Sequence, residues 1–387
     1  MSKRLISVAV TSVLLFGVGF VYGATYTSAR KSVHHTSRHT AHTTVSHTRA
    51  RRRKAAYNPW RITSYGEPAT YDNPAADDPA VRAAVISALG RWNGAVVVAD
   101  PRNGRILSVV NQKLATEGAF TPCSTFKPIT ALAALKEGLI TSDTTMRAEP
   151  RLRAYGRNFN LTQALALSSN TYFNKVGQML GFDRLAEYAH LFGLGEKAAD
   201  IPGESSGHFP DEPPKPGDGG VGMVAYDGLT FDVTPLQMTA LVSAIANGGT
   251  LYELQYPRSS TEVANFQPIV RRKLEALAPY IPQVRDGMAA SVLYGTGRFA
   301  FDPEINIYGK TGTCTENGAR LGWFISYSGQ PDPNYAVVVL LRGGRSMYGP
   351  HAAEIAGKIY RELAMRDEGL KAIPNIPALT TIGIPNR

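Results

Sequence analysis

Ser124-Thr125-Phe126-Lys127 places a hydroxyl and an amine three residues apart, ahead of apolar Ile129, Leu132 and Leu135 and of Gly138. This pattern predicts a helix from Ser124 to Glu137 that starts at the motif, with Ser124 and Lys127 on one face a turn apart. An amine there takes the hydroxyl proton once burial or a cationic neighbour lowers its pKa. A helix N-terminus also aims backbone N–H groups at a developing oxyanion. The geometry suits a nucleophilic serine. Ser-x-x-Lys has little weight alone: average residue usage produces it about once in a chain of this length, and Ser28-Ala29-Arg30-Lys31 repeats it. The bland alternative is a helix cap followed by an ordinary lysine. Context tells against it, because the helix is apolar nearly all round and hence central. A lysine in the first turn of a central helix is poorly explained as solubilising charge.

Two further clusters could complete such a site. Ser168-Ser169-Asn170 ends the run Leu161 to Leu167; Ser-x-Asn also arises by chance about once per chain, as a polar turn or cap. Lys310-Thr311-Gly312-Thr313 sits on a strand-like run and is rarer, expected in roughly one chain in ten. Its hydroxyls, on Thr311 and Thr313, could hold a carboxylate, and Gly312 leaves space for a ligand backbone along the strand.

The elements that must position these groups are readable. Gly94 to Val110 reads as a hairpin turning at Asp100-Pro101-Arg102-Asn103-Gly104. Ile305–Thr315, Leu321–Tyr327 and Tyr335–Leu341 read as three more strands, the first two joined through Asn317-Gly318. Between these sheet pieces lie helical candidates at Ser124–Glu137, Leu161–Met179, Arg184–Phe192 and Pro235–Asn247, and His351–Arg366 reads as a terminal amphipathic helix. The layout is α+β: a five-stranded antiparallel sheet flanked by N- and C-terminal helices, with an inserted all-helical subdomain.

Charge separates the chain into parts. Residues 1–60 hold ten Lys or Arg and no acid, whereas residues 61–387 hold 31 basic and 31 acidic residues. The basic excess belongs to a tail, which argues against nucleic acid as a partner of the body. Residues 1–24 combine Lys3 and Arg4 with an apolar run from Leu5 to Ala24, and read as a transmembrane signal-anchor, with a cleaved signal peptide as the rival. Residues 25–59 are rich in His, Ser, Thr and Arg and poor in large apolar side chains, a spacer that cannot offset the entropy of ordering. Metal chelation by His34, His35, His39, His42 and His47, or anion binding by Arg51-Arg52-Arg53-Lys54, lacks any regular spacing to support it. Residues 60–387 form the body. Two cysteines, Cys123 and Cys314, are too few for a zinc site, and no metal or cofactor is expected.

In order, Ser124-x-x-Lys127, Ser168-x-Asn170 and Lys310-Thr311-Gly312 resemble the three signatures of penicillin-binding proteins and serine β-lactamases. Thr121–Gly138, Ile201–Ser205, Val233–Met238, Ala246–Gly249, Gly295-Thr296-Gly297 and Lys310–Tyr327 look like the transpeptidase domain of class B penicillin-binding proteins. The resemblance implies a β-lactamase/transpeptidase-like fold and a bacterial inner-membrane enzyme, single-pass, with its catalytic domain outside. It implies D,D-transpeptidation. Ser124 attacks a D-Ala-D-Ala stem peptide of peptidoglycan, Lys127 is the base, and Ser168 relays a proton. Asn170 orients Lys127 and the substrate, Lys310 supplies charge, and Thr311 and Thr313 contact the carboxylate. The N–H groups of Ser124 and Thr313 form the oxyanion hole. β-Lactams acylate Ser124 as mimics, and cell-wall synthesis proteins are implied partners.

The family often has glycine where this chain has Cys123. If Ser124 and Thr313 aim N–H groups at one oxyanion, their neighbours are close, and strand alternation turns Cys314 toward the helix. The resemblance thus implies a Cys123–Cys314 disulfide, with two buried inert thiols as the alternative. Class B members usually carry a further module ahead of the transpeptidase domain, where this chain has the spacer. Other readings are a D,D-carboxypeptidase, a class D-like β-lactamase or a β-lactam sensor. The class D pattern shares Ser-Thr-Phe-Lys and Trp323, but its Tyr-Gly-Asn is missing, and Tyr155-Gly156-Arg157-Asn158 precedes Ser168 with an insertion.

Overall fold

The computed structural model describes residues 63–368 apart from 200, 216–218 and 330. The anchor expected over 1–24 and the spacer expected over 25–59 lie outside the described residues. Among the described residues no helix is long and apolar enough to cross a membrane.

β1 (Gly94–Asp100), β2 (Arg105–Val110), β3 (Ile307–Glu316), β4 (Ala319–Ser328) and β5 (Tyr335–Gly343) form one sheet in the order β2-β1-β5-β4-β3. All neighbouring pairs are antiparallel. Because side chains alternate across a strand, the near-continuous apolar runs of β1, β4 and β5 divide between two cores. Ala95, Val97, Trp323, Ile325, Val338 and Leu340 face one; Val96, Val98, Phe324, Val337, Val339 and Leu341 face the other. Each fully buried large side chain contributes about 1.5–3 kcal/mol, so both faces must be covered.

α1 (Pro79–Leu89) and the C-terminal helix (Gly349–Glu368) cover one face. Asp78 caps α1 by accepting the N–H groups of Ala80 and Val81, and binds Arg366 at 2.9 Å, tying the two helices together. The insertion between β2 and β3 covers the other face. Besides two five-residue helices, Gln112–Thr116 and Ser260–Ala264, its described helices are α2 (Lys127–Lys136), α3 (Leu161–Ala166), α4 (Asn170–Leu180), α5 (Phe182–Leu191), α6 (Gly220–Asp227), α7 (Pro235–Ala246) and α8 (Ile281–Leu293). α7 is buried along its whole length and opens with a reciprocal Thr234–Gln237 capping box. The β3–β4 turn has Asn317 and Gly318 both at positive φ, 46° and 74°, the backbone that suits strand twist.

Two boundaries differ from the sequence reading. The helix expected from Ser124 begins as a 3₁₀ turn, Cys123–Phe126, and becomes α-helical at Lys127. Pro128, which lacks an N–H, is accommodated in that first α turn. The helix expected over Leu161–Met179 is two helices, α3 and α4, broken at Leu167-Ser168-Ser169. Ser169 accepts the Tyr172 N–H and so caps α4, while Ser168 turns left-handed at φ 55°. Short hydroxyl side chains compete for backbone partners in this way, and the apolar periodicity running across the break conceals it.

Candidate active site

The turn carrying Ser124 is fastened to β3 and β4. Thr121 donates its N–H and its hydroxyl to Glu316 Oε1, each at 2.7 Å, and accepts from Trp323 Nε1 at 3.0 Å. Cys123 and Cys314 are joined by a disulfide with their Cα atoms 5.7 Å apart. Phe120 and Val233 exchange backbone hydrogen bonds of 2.9 Å on the other side. Cys123 is left-handed at φ 52°, a conformation that favours glycine and costs a side-chain-bearing residue about 1–3 kcal/mol. Ser124 follows directly, with only 9% of its surface exposed.

Gly312 requires a correction. A Cβ there would lie 3.0 Å from Pro122 O, 3.0 Å from Thr125 Cγ2 and 3.2 Å from Cys123 Cβ. The glycine is needed because β3 passes close over the turn at Pro122–Thr125, rather than to leave space for a ligand backbone. Thr311 and Thr313, on the alternate face, have partners of their own. The Thr311 hydroxyl donates to Thr296 Oγ1 at 2.6 Å, and Thr313 Oγ1 accepts the Gly349 N–H at 2.8 Å, which leaves the Thr313 proton available.

Lys127 and Lys310 are both fully buried and converge on one oxygen. Lys127 Nζ donates to Ser168 Oγ and Ser168 O, both at 3.0 Å, and to Asn170 Oδ1 at 2.7 Å. Lys310 Nζ donates to Ser168 Oγ at 2.8 Å and to Thr311 O at 2.9 Å. Two ammonium groups on one hydroxyl, away from water, repel each other strongly. Burial pushes Lys310 down to about 7. Burial, then the Lys310 charge, holds Lys127 well below the ordinary lysine range, against the opposing pull of Asp227 and Glu149. The rings of Phe173 and Tyr226 lie 5.6 and 5.9 Å from Lys127 Nζ. This is the environment that yields a neutral, basic lysine near neutral pH. None of the Lys127 hydrogen bonds goes to Ser124; catalytic contacts of this kind tighten when substrate is bound.

Sequence reasoning missed Glu149. Its carboxylate accepts from Ser169 Oγ at 2.5 Å and from the Asn170 N–H at 2.9 Å, and it pairs with Arg151 at 3.2 Å. Burial raises this carboxyl, but the hydrogen bonds from Ser169 and Asn170 override it and hold the group below the usual range. Glu149 thus holds the corner that carries Ser168 and Asn170 at the start of α4. As a lone acid some twenty positions ahead of its partners in sequence, it gave no signal. Thr296 was noticed only as part of Gly295-Thr296-Gly297. Its N–H donates to Ala166 O at 3.0 Å, and a Cβ at Gly295 would be 2.1 Å from the same oxygen, so this loop closes tightly under Ser168. Among the described residues no group of acidic, His or Cys side chains is arranged to hold a metal.

On an α+β scaffold of this topology, the convergence of a serine turn, two buried lysines and a Ser-x-Asn corner defines the penicillin-recognising serine class. Residues 94–361 match the penicillin-binding protein transpeptidase domain, and the chain belongs to that family. It is 31% identical over 336 residues to stage V sporulation protein D of Bacillus subtilis, covering 73% of this chain and 51% of that protein. It is 25% identical over 375 residues to the peptidoglycan D,D-transpeptidase MrdA of Escherichia coli K12, covering 74% and 56%. The chain spans about half the length of these relatives. The transpeptidase domain of Burkholderia pseudomallei penicillin-binding protein 3 superposes with a TM-score of 0.65 at 19% identity, covering 79% of this chain and 99% of that domain. Helicobacter pylori PBP2, solved in complex with MreC, gives 0.65 at 22% identity, covering 74% and 62%. These two likenesses speak to the fold.

Proposed function

We propose that this protein is a peptidoglycan D,D-transpeptidase working through an acyl-enzyme on Ser124. The observation that carries the reading is the sharing of Ser168 Oγ by two buried lysine amines, with Asn170 holding one of them. In this reading neutral Lys127 takes the Ser124 proton as Oγ attacks the penultimate D-alanyl carbonyl. The oxyanion is held by the N–H groups of Ser124 and Thr313. The proton passes through Ser168 to the departing D-alanine nitrogen as the C–N bond breaks, leaving the acyl ester. An amine from a second stem peptide then attacks the ester, gives up a proton by the reverse route, and frees Ser124. Lys310, Thr311 and Thr313 face the substrate carboxylate. The relatives named as D,D-transpeptidases support the acceptor being an amine.

The apolar run over residues 5–24 supports attachment to the cytoplasmic membrane with the body outside. The fold shared with a penicillin-binding protein solved in complex with MreC supports a cell-wall synthesis protein as partner. The test of the reaction is a mass-spectrometric assay on a D-Ala-D-Ala pentapeptide, with and without a competing amine. Cross-linked peptide formed in the presence of the amine, with loss of D-alanine, is the expected result. Release of D-alanine to water alone assigns a carboxypeptidase. Rapid hydrolysis of β-lactam with no peptide product assigns a lactamase.

A further inference from the structure

Residues 147–157 carry four arginines, Arg147, Arg151, Arg153 and Arg157, and one acid, Glu149. The segment is a short ribbon, Met146–Arg147 paired with Asn158–Phe159, closed by the 3₁₀ turn Pro150–Tyr155. All four arginines are exposed. Arg151 is paired with Glu149. The side chains of Arg147, Arg153 and Arg157 make no hydrogen bond or ion pair with any described residue. In the same body, with 31 basic and 31 acidic residues, Arg82, Arg102 and Arg366 each have a carboxylate partner. Clustered unpaired charge repels itself, and an anionic ligand relieves that repulsion.

The ribbon is placed by the catalytic corner. Ala148, Leu152 and Phe159 are buried beneath it, and Glu149 holds Ser169 and the Asn170 N–H. Asn170 in turn holds Lys127 at 2.7 Å. Two hydrogen bonds therefore separate the ribbon from the lysine. Guanidinium groups match carboxylate geometry and stay charged at every working pH.

We propose that residues 147–157 form an anion-recognition ribbon for the free carboxylates of a peptide strand that enters the cleft past Asn170. Arg147, Arg153 and Arg157 supply the charge, and this rests on the acyl-transfer reading of the cleft. A phosphate-bearing polymer would satisfy the same guanidiniums, but the cleft beside them, in that reading, holds peptide.

The test uses the full chain with Ser124→Ala, so that binding is measured without turnover. The ligands are un-cross-linked glycan strands with free peptide carboxylates, the same strands with those carboxylates amidated, and poly(glycerol phosphate), each at low and high salt. The triple variant Arg147→Ala/Arg153→Ala/Arg157→Ala is expected to bind free strands about tenfold more weakly, as three exposed ion pairs allow. Its binding is also less sensitive to salt. The corresponding triple Lys variant recovers most of the affinity, and amidated strands do not distinguish the proteins. With Ser124 present, penicillin labels the parent and the triple variant at rates within about twofold, since the arginines act on the strand rather than on acyl transfer. Equal binding of free strands by parent and triple variant overturns the proposal, as does equal affinity for amidated and free strands. Arginine-dependent binding of poly(glycerol phosphate) alone overturns the carboxylate assignment. Failure of the acyl-transfer reading shows separately, as absence of penicillin label on the parent, and leaves the binding comparison interpretable.

Discussion

Removing the Cys123–Cys314 bridge tests how the active site is held together. The bridge joins residues 191 apart in sequence, and the loop it closes contains most of the helical insertion. Chain-entropy reasoning for a loop of that length gives an upper value of about 5 kcal/mol at 25 °C, with about 2–4 usual in practice. At about 3 °C per kcal/mol for a domain of this size, Cys123→Ser/Cys314→Ala should melt about 10 °C below the oxidised parent. Activity at 25 °C should suffer far less. Thr121 still binds Glu316 twice, and Trp323 still binds Thr121, so the turn keeps its place on β3 and β4. Penicillin acylation of the double variant is expected within about tenfold of the parent, since a displacement approaching 1 Å costs about 10². A second double variant, Cys123→Gly/Cys314→Ala, isolates the backbone strain. Because residue 123 sits at φ 52°, glycine should recover about 1 kcal/mol relative to serine. Thermal melts with and without reductant, together with stopped-time penicillin labelling, read both effects. Melting of the serine variant within about 2 °C of the oxidised parent would refute the loop-closure reasoning. Loss of acylation in a folded double variant would refute the claim that the remaining contacts suffice.

Other perturbations follow from the same geometry. Glu149→Gln sets an amide against the Asn170 N–H and discards two charge-assisted hydrogen bonds; about 2 kcal/mol of stability and about 10² in acylation rate should go, and unchanged labelling kinetics would reduce Glu149 to a helix cap. Burial pushes Lys310 down to about 7 in the folded protein, from its ordinary 10.5 once unfolded. The unfolded chain therefore binds the extra proton between those values, and stability contributed by this group rises with pH across that window. In Lys310→Met the rise should be shallower in urea melts at pH 6 and 9.5, and acylation should be lost. Gly312→Ala presses a methyl against Pro122 O and Thr125 Cγ2 at 3.0 Å. Acylation should fall about tenfold with about 1–3 kcal/mol of overpacking, read by labelling rate and melting together.

The sheet was legible because its signals are local. Valine runs at 96–98 and 337–339 mark strands, and the Asn317-Gly318 turn marks a hairpin, without help from distant residues. The centrality of α2 was legible too, from apolar positions on every side of it. What could not be read depends on contacts between distant segments. The break at Ser168 hides inside uninterrupted apolar spacing, and its left-handed backbone is stabilised by Ser169 and Glu149 rather than by any turn residue. Gly312 looked like room for ligand until the nucleophile turn was seen beneath it. Trp323 marked a family likeness, but its use as a donor to Thr121 depends on β4 passing over residue 121. The two lysines illustrate the difference most clearly. Their motifs name them separately, and only folding brings both amines to one serine oxygen.

The central claim is that Ser124 is the acylated nucleophile of this lysine-paired site. Intact-mass analysis of the full chain after brief exposure to benzylpenicillin, followed by peptide mapping, tests it most directly. One stoichiometric adduct is expected on the peptide containing Ser124, with none in Ser124→Ala. An adduct on another residue, or a folded protein that takes up no drug at any pH, would contradict it.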